Sequence, residues 1–249
     1  MQARLPWKAV KSPKKRPKST PGLFITGTDT GVGKTRVAAT IARALTCDGW
    51  KVGVYKPAAS GCERVGKELT SEDAVLLWEA AGRPGSLRRV CPQRFAAPLA
   101  PHLAAKAEGK QLDEPLLRSG IEYWLERSDI VLVEGAGGLL SPLGEEKYVA
   151  DLARATGFPL VVVVPNRIGS INQALQTLLA AQAYDLEVAG IVLSELLPPD
   201  AHDPSIQSNP AELARRASAP VLARLPYHAI ELDTIVDWPA LARPFKRGR

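Results

Sequence analysis

The stretch Gly27 to Thr35, GTDTGVGKT, holds the residue types and spacing best suited to chemistry. An apolar run, Gly22-Leu23-Phe24-Ile25-Thr26, leads into it, and a helical pattern, RVAATIARAL, leads out. Strand, glycine-bearing loop, Lys-Thr and helix form the layout that cradles a nucleoside triphosphate. Backbone N–H groups and the positive end of the helix surround the phosphates there. In that layout Lys34 reaches the β- and γ-phosphates and the Thr35 hydroxyl ligates Mg²⁺. The spacing departs from the common Gly-x-x-x-x-Gly-Lys-Ser/Thr, because Thr28 stands where the first glycine would and Gly27 comes one residue early. The alternative is an ordinary glycine-rich turn, which has no need of Lys-Thr at the mouth of a helix.

Further residues sit where such a site would use them. The second apolar segment, KVGVYKPAASG, ends in Lys56, with Ser60 four residues on. A second lysine beside a transferring phosphoryl group makes physical sense, since that chemistry is catalysed mostly by positioning and charge stabilisation. Lys56 could equally be a surface lysine flanking a strand. In DIVLVEGAGG, Asp129 to Gly138, the apolar run ends in Glu134 followed by small residues. An acid there can hold Mg²⁺ directly or through water, or it can cap or form an ion pair. The glycines let backbone approach a ligand. Asp73, in TSEDAVLL, reads by itself as a first-turn acid favoured by the helix dipole. NRIGSINQALQT, Asn166 to Thr177, follows LVVVV. Its Gly169 and Ser170 expose a helix start that suits a carboxylate or phosphate, or serve only as a routine connection.

These residues need a frame, and the chain alternates strand-like and helix-like segments. Strands are expected at Leu23–Thr26, Lys51–Tyr55, Ile130–Val133, Leu160–Val164, Val188–Leu193 and Val221–Leu225. Helices are expected at Gly33–Cys47, Glu72–Ala81, Pro115–Glu126, Val149–Thr156, Ile171–Tyr184 and Ala211–Ala217. Unbroken apolar strands separated by helices indicate an α/β fold: a doubly wound, mostly parallel sheet with helices on both faces. The loops after the strand C-termini then form the site. Ser86 to Gln111, with APLAPHLAA, reads as loop plus helix lining the site or an interface.

With 249 residues, 45% of them apolar and 23% charged, the chain has the composition and length for a globular core. No apolar run approaches the roughly 20 residues needed to span a bilayer, and no secretory signal is visible. Cys47, Cys62 and Cys91 are odd in number and scattered, which disfavours disulfide and zinc frameworks. A cytoplasmic setting is the simplest expectation. The net charge of +6 suggests a polyanion partner, but its distribution argues against one. Residues 1–20 carry seven Lys/Arg and 243–249 carry four, with no acid in either. Without those eleven, 21 basic residues face 26 acidic ones, a net of −5. The expected organisation is a disordered basic extension over 1–20, a single domain over 21–242 and a basic tail over 243–249. Neither nucleic acid nor membrane is expected as a partner.

Taken together, GTDTGVGKT, YKPAASG, the acid of SEDAVLL, APLAPH, LVEGAGGLLSPL and IGSINQAL resemble the dethiobiotin synthetase family, in the family's order, from about Leu23 to Leu193. The resemblance implies a P-loop NTPase-like fold and a ligase that carboxylates 7,8-diaminopelargonate with CO2 and closes a cyclic urea at the expense of ATP. Carried over by position, Lys34, Lys56 and Thr30 serve catalysis, while Thr35, Asp73 and Glu134 hold Mg²⁺. ATP is implied to meet Gly31, Val32, Gly33, Lys34, Thr35, Arg36, Glu134, Gly135, Ala136 and Gly137, with Ser194, Glu195, Pro226 and Tyr227 near the base. Thr30, Ser60 and Pro101 are implied to line the substrate site. Gly169, Ser170, Ile171 and Asn172 of a second subunit would receive the substrate carboxylate, so a homodimer is implied. The chain departs from the family at Ser194-Glu195, where Asn-Asp is frequent; a serine loses the two-sided amide pattern that reads adenine.

Two other readings compete. Glutamine-dependent amide ligases on a related fold need an additional glutaminase domain, for which no length is left. Partitioning or cell-division switch ATPases carry a signature lysine five residues before the loop lysine. That place is Asp29 here, and the ending RPFKRGR is no amphipathic membrane helix.

Overall fold

The computed structural model describes residues 20–198 and 203–244. Nearly all of the basic extension and most of the basic tail lie outside the described residues. In chain order the first elements are β1 (Pro21–Gly27), α1 (Lys34–Cys47), β2 (Val52–Tyr55), β3 (Ala58–Ala59), β4 (Glu63–Val65), β5 (Glu68–Thr70) and α2 (Glu72–Ala80). Then come α3 (Leu87–Val90), β6 (Gln93–Arg94), α4 (Pro101–Ala107), α5 (Glu114–Ser119), α6 (Glu122–Leu125), β7 (Ile130–Gly138) and α7 (Val149–Thr156). The chain continues through β8 (Leu160–Pro165), α8 (Ser170–Ala183), β9 (Val188–Ser194), α9 (Ser205–Arg216), β10 (Val221–Leu225), α10 (Trp238–Leu241) and β11 (Arg243–Pro244).

The main sheet runs β10-β9-β8-β1-β7-β2, and every pairing along that path is parallel. β8 is buried along its whole length and β1 over all but its first residue, as apolar strands covered on both faces must be. The order reverses at β1: the chain first moves to the β7–β2 side, then to β8, β9 and β10. The carboxyl ends of the strands at such a switch point open the crevice in which ligands of this architecture sit. β11 adds an antiparallel pair at the start of β1, Pro21 opposite Pro244, so the sheet reaches just beyond the boundary expected at residue 242.

Three elements differ from expectation, each for a local reason. The helix expected over Pro115–Glu126 is two short helices. Tyr55 donates its hydroxyl to Leu116 O and Leu117 O, and the Ile121 N–H turns to Arg118 O instead of completing the ladder to Leu117. The helix expected at Ala211 begins at Ser205, with Pro210 inside it. Proline removes the donor that would serve the carbonyl four residues back, and that carbonyl, of Ile206, accepts from Asn166 Nδ2 at 3.1 Å instead. β7 continues past Val133 to Gly138, with a register shift against β1 between Ile25 and Gly27. The β4–β5 hairpin, closed over Gly66 in the left-handed region, and the small β3–β6 pair were not expected.

Candidate active site

The loop between β1 and α1 opens the site. Gly33 takes φ 91°, a conformation costly to any residue with a Cβ, and the helix that follows has no side-chain cap. Its first N–H groups therefore remain available to an anion. Gly33 also packs against the Ser194 Oγ and Leu196 side chain, so neither its φ nor its surroundings leave room for a larger residue. Lys34 Nζ donates to the carbonyl of Asp29, 2.8 Å away, inside its own loop. Asp29 Oδ1 in turn accepts from the Thr30 N–H at 2.7 Å.

Lys56 comes from the end of β2 and is 4% exposed. Its ammonium lies 2.6 Å from Glu134 Oε1 and 2.7 Å from Asp73 Oδ2. Glu134 sits on β7 in register with Ile25 of β1, and Asp73 lies in the first turn of α2, whose N-cap Ser71 accepts from Ala74 N. Burial works against the charge on Lys56, but the two carboxylates outweigh it and hold the ammonium above the ordinary lysine range. Lys34 is shifted the other way, first by burial and then by the nearby Lys56 charge, with Glu134 opposing. Burial alone would raise the Asp73 carboxyl; Lys56 reverses this and leaves it below the usual range. Lys56 is thus a fixed cation over the neutral pH range, suited to stabilising charge rather than to carrying protons.

These groups face one cleft of about 800 Å³. Thr30, Gly31, Gly33, Lys34, Thr35, Arg36, Lys56, Ser60, Asp73, Pro101, Glu134, Ala136 and Gly137 all line it. Val32 is buried and packs against Gly27, and Gly135 faces Val149 and Phe24 inside the sheet. Only the backbones of these two could therefore serve a nucleotide. Arg36 reaches the cleft wall, but its guanidinium donates to the carbonyls of Glu195, Pro226 and Ala229. Ser194 is fully buried behind Gly33 with its hydroxyl unpartnered. Gly169, Ser170, Ile171 and Asn172 lie at the start of α8 and do not line this cleft. Leu76, Leu99, Ser141 and Leu196 also line it and were not among the expected site residues; the first three lie within SEDAVLL, APLAPH and LVEGAGGLLSPL, but only the folding of α2, the Pro-rich loop and the post-β7 and post-β9 loops turns them into the cleft. A second hollow of about 590 Å³ between α5 and α7 contains none of the expected residues.

The donor set fits Mg²⁺. Glu134 Oε1 takes hydrogen bonds from Lys56 and, at 2.8 Å, from Thr35 Oγ1, while the buried Oε2 has no partner. Thr35, Asp73 and Glu134 offer hard oxygens and, among the described residues, no cluster of three or more His, Cys, Asp or Glu gathers. A divalent ion here would draw its remaining ligands from phosphate oxygens and water, as Mg²⁺ does.

Comparison with known proteins gives the family. The AAA domain family model matches residues 21–231. The ATP-dependent dethiobiotin synthetase BioD of Rhodopirellula baltica is 42% identical over 212 residues, covering 80% of this chain and 82% of that protein. The enzyme of the same name from Anaeromyxobacter dehalogenans strain 2CP-C is 44% identical over 206 residues, covering 83% and 90%. This chain belongs to the dethiobiotin synthetase family. Among solved structures, the signal recognition particle receptor FtsY of Elizabethkingia anophelis in complex with GDP superposes with a TM-score of 0.52 at 17% identity. The match covers 90% of this chain and 63% of the receptor, and it shows a shared fold only. Ser194 ends β9 and Glu195 follows it, and Glu195 Oε1 accepts from Asn166 Nδ2. No helix among the described residues is long and apolar enough to cross a membrane.

Proposed function

We propose that this chain makes dethiobiotin, carboxylating 7,8-diaminopelargonate with CO2 and closing the ring with ATP. The observation that carries the proposal is the buried Lys56, clamped between Asp73 and Glu134 and facing the phosphate loop across a single cleft. In the first step an amine of the substrate adds to CO2 and loses a proton, giving a carbamate. A carbamate oxygen then attacks the γ-phosphorus and ADP leaves, forming a carbamic–phosphoric anhydride. The neighbouring amine attacks the carbonyl carbon, the urea ring closes, and phosphate departs with the former carbamate oxygen.

Each step gathers or moves negative charge, which suits a site built from two lysines. The phosphate loop from Gly31 to Thr35 holds the triphosphate on the N–H groups of α1. Lys34 leaves the Asp29 carbonyl for the β- and γ-phosphates. Lys56 stabilises both the carbamate and the transferring phosphoryl group, while Thr30 and Ser60 offer hydroxyls to the carbamate. Thr35, Asp73 and Glu134 would hold Mg²⁺, which would neutralise charge on the phosphates. The nucleoside lies toward Ser194, Glu195, Pro226 and Tyr227.

The chain works as a homodimer in this reading. Pro101 lines the cleft and would flank the substrate chain, whereas the open helix start at Gly169–Asn172 faces elsewhere and would meet the substrate carboxylate in a second copy's cleft. The setting is cytoplasmic. The test is product formation by purified protein from ATP, Mg²⁺, bicarbonate and 7,8-diaminopelargonate. Dethiobiotin, with ADP and phosphate in equal amounts, is expected. Turnover stimulated instead by DNA or lipid, with no dethiobiotin, would favour the switch-ATPase reading.

A further inference from the structure

The three carbonyls that receive the Arg36 guanidinium belong to two separate loops. One follows β9 and includes Glu195; the other follows β10 and includes Pro226 and Ala229. Nη1 donates to Glu195 O at 3.1 Å, and Nη2 donates to Pro226 O at 3.2 Å and Ala229 O at 3.4 Å. The loops also meet directly, through Glu195 N–H to Leu225 O at 2.9 Å. The second loop is tightly turned: Ala229 N–H bonds back to Pro226 O, and His228 takes φ 56° with its ring 3.9 Å from that of Tyr227. Two turns further along α1, Arg43 donates to Ile230 O at 3.3 Å. Arg36 follows Thr35 directly, yet its donors turn away from the phosphate end of the cleft toward this pair of loops.

We propose that Arg36 is a positioning residue for the nucleoside, acting through the two loops it ties to α1, and that it does not hold phosphate. The inference rests on the function proposed above, in which those loops receive the nucleoside. A planar guanidinium with several fixed donors can serve three carbonyls at once; an ammonium on a flexible stem cannot hold that fork. Loops ordered in advance bind without first losing their freedom, which strengthens affinity with no new contact. Here the advantage falls only on the nucleoside, because the polyphosphate is received by residues 31–35. Ser194 is buried behind Gly33, so the side chain at the family's amide position has little reach, and the shape of these loops carries more of the recognition.

The test uses the full chain as wild type, Arg36→Ala and Arg36→Lys, each first checked for cooperative thermal unfolding. KM and kcat for ATP are measured alongside inhibition by inorganic tripolyphosphate, which carries the phosphates without a nucleoside. Arg36→Ala is expected to raise the KM for ATP about tenfold, equivalent to about 1.4 kcal/mol, with kcat and the tripolyphosphate Ki each within about twofold. Arg36→Lys should fall between the two. Equal weakening of ATP and tripolyphosphate would overturn the proposal and place Arg36 on the phosphates. An unchanged KM for ATP would also overturn it, since the loops would then need no tie. Calorimetric Kd values for ATP and tripolyphosphate give the same contrast without turnover. A wild type that bound ATP but made no dethiobiotin would therefore refute the proposed function while this inference was still decided by the Kd values.

Discussion

Replacing Lys56 with alanine removes the cation from a buried carboxylate pair and separates the chemical role of this residue from its structural one. The Lys56–Glu134 contact is buried on both sides, with the side chains 5% and 1% exposed, whereas Asp73 is half-exposed and partly screened by solvent. Breaking a buried pair by deleting one partner costs about 3 to 5 kcal/mol, because a charge is left without compensation. Glu134 keeps its hydrogen bond from Thr35, so the lower end, ~3 kcal/mol, is expected. For a chain of this size that corresponds to a fall in Tm of roughly 6 to 12 °C, and a fold with about 5 to 15 kcal/mol of stability survives it at 25 °C. Losing a preorganised charge aimed at the transition state should lower kcat by about 10² to 10³. The assay is dethiobiotin formation at 25 °C with folded protein, set beside a thermal melt. A kcat within about tenfold of wild type would refute the reasoning, since the site would then not depend on this charge. Losses of activity and folded fraction in strict proportion would refute it equally.

Asp73→Asn tests the same cluster through pH. Lys56 holds the Asp73 carboxyl below the usual carboxylate range in the folded protein, so its stabilisation is fully present above that range and is lost as pH falls through the folded value. The Tm gap between wild type and Asp73→Asn should therefore be constant from neutral pH to about 5 and close at lower pH; a gap that widened in acid would contradict the ion pair with Lys56. The shared dimer site can be tested by mixing two inactive variants, Lys56→Ala and Asn172→Asp, the second placing a negative charge at the exposed α8 start. Random exchange should restore up to about a quarter of wild-type activity, since half the dimers are mixed and one of their two sites is intact. No recovery after exchange, verified by sizing and subunit labelling, would mean that each site is complete within one chain.

Much of the fold was legible in the sequence because its strands are apolar runs bounded by breakers. FPLVVVV read as a buried strand by its length and β-branching, and GTDTGVGKT between strand and helix read as a phosphate loop. What escaped were features decided by contacts distant in sequence. The break between α5 and α6 depends on the Tyr55 hydroxyl, some 60 residues earlier, and Pro210 is tolerated inside α9 because Asn166 takes up the carbonyl it leaves free. At the site, Lys56 stood out as a lysine ending a strand, but only the fold brings Asp73 from α2 and Glu134 from β7 onto its ammonium. Asp73 alone had read as a helix-dipole acid, and no spacing rule links it to residues 17 and 61 positions away. Arg36, expected to meet ATP because of its place in the motif, has its guanidinium engaged by backbone carbonyls of residues 195 to 229, a pairing that sequence patterns do not encode.

The most direct test of the central claim follows an oxygen atom. Purified protein is given ATP, Mg²⁺, 7,8-diaminopelargonate and freshly dissolved bicarbonate labelled with heavy oxygen, and the released phosphate is analysed by mass spectrometry. Attack by a carbamate oxygen on the γ-phosphorus, followed by ring closure at the carbonyl carbon, carries one labelled oxygen into phosphate for each dethiobiotin formed. Diamine-dependent phosphate release with that label is the predicted result. Phosphate carrying only solvent oxygen, or released at the same rate without the diamine, would contradict the account.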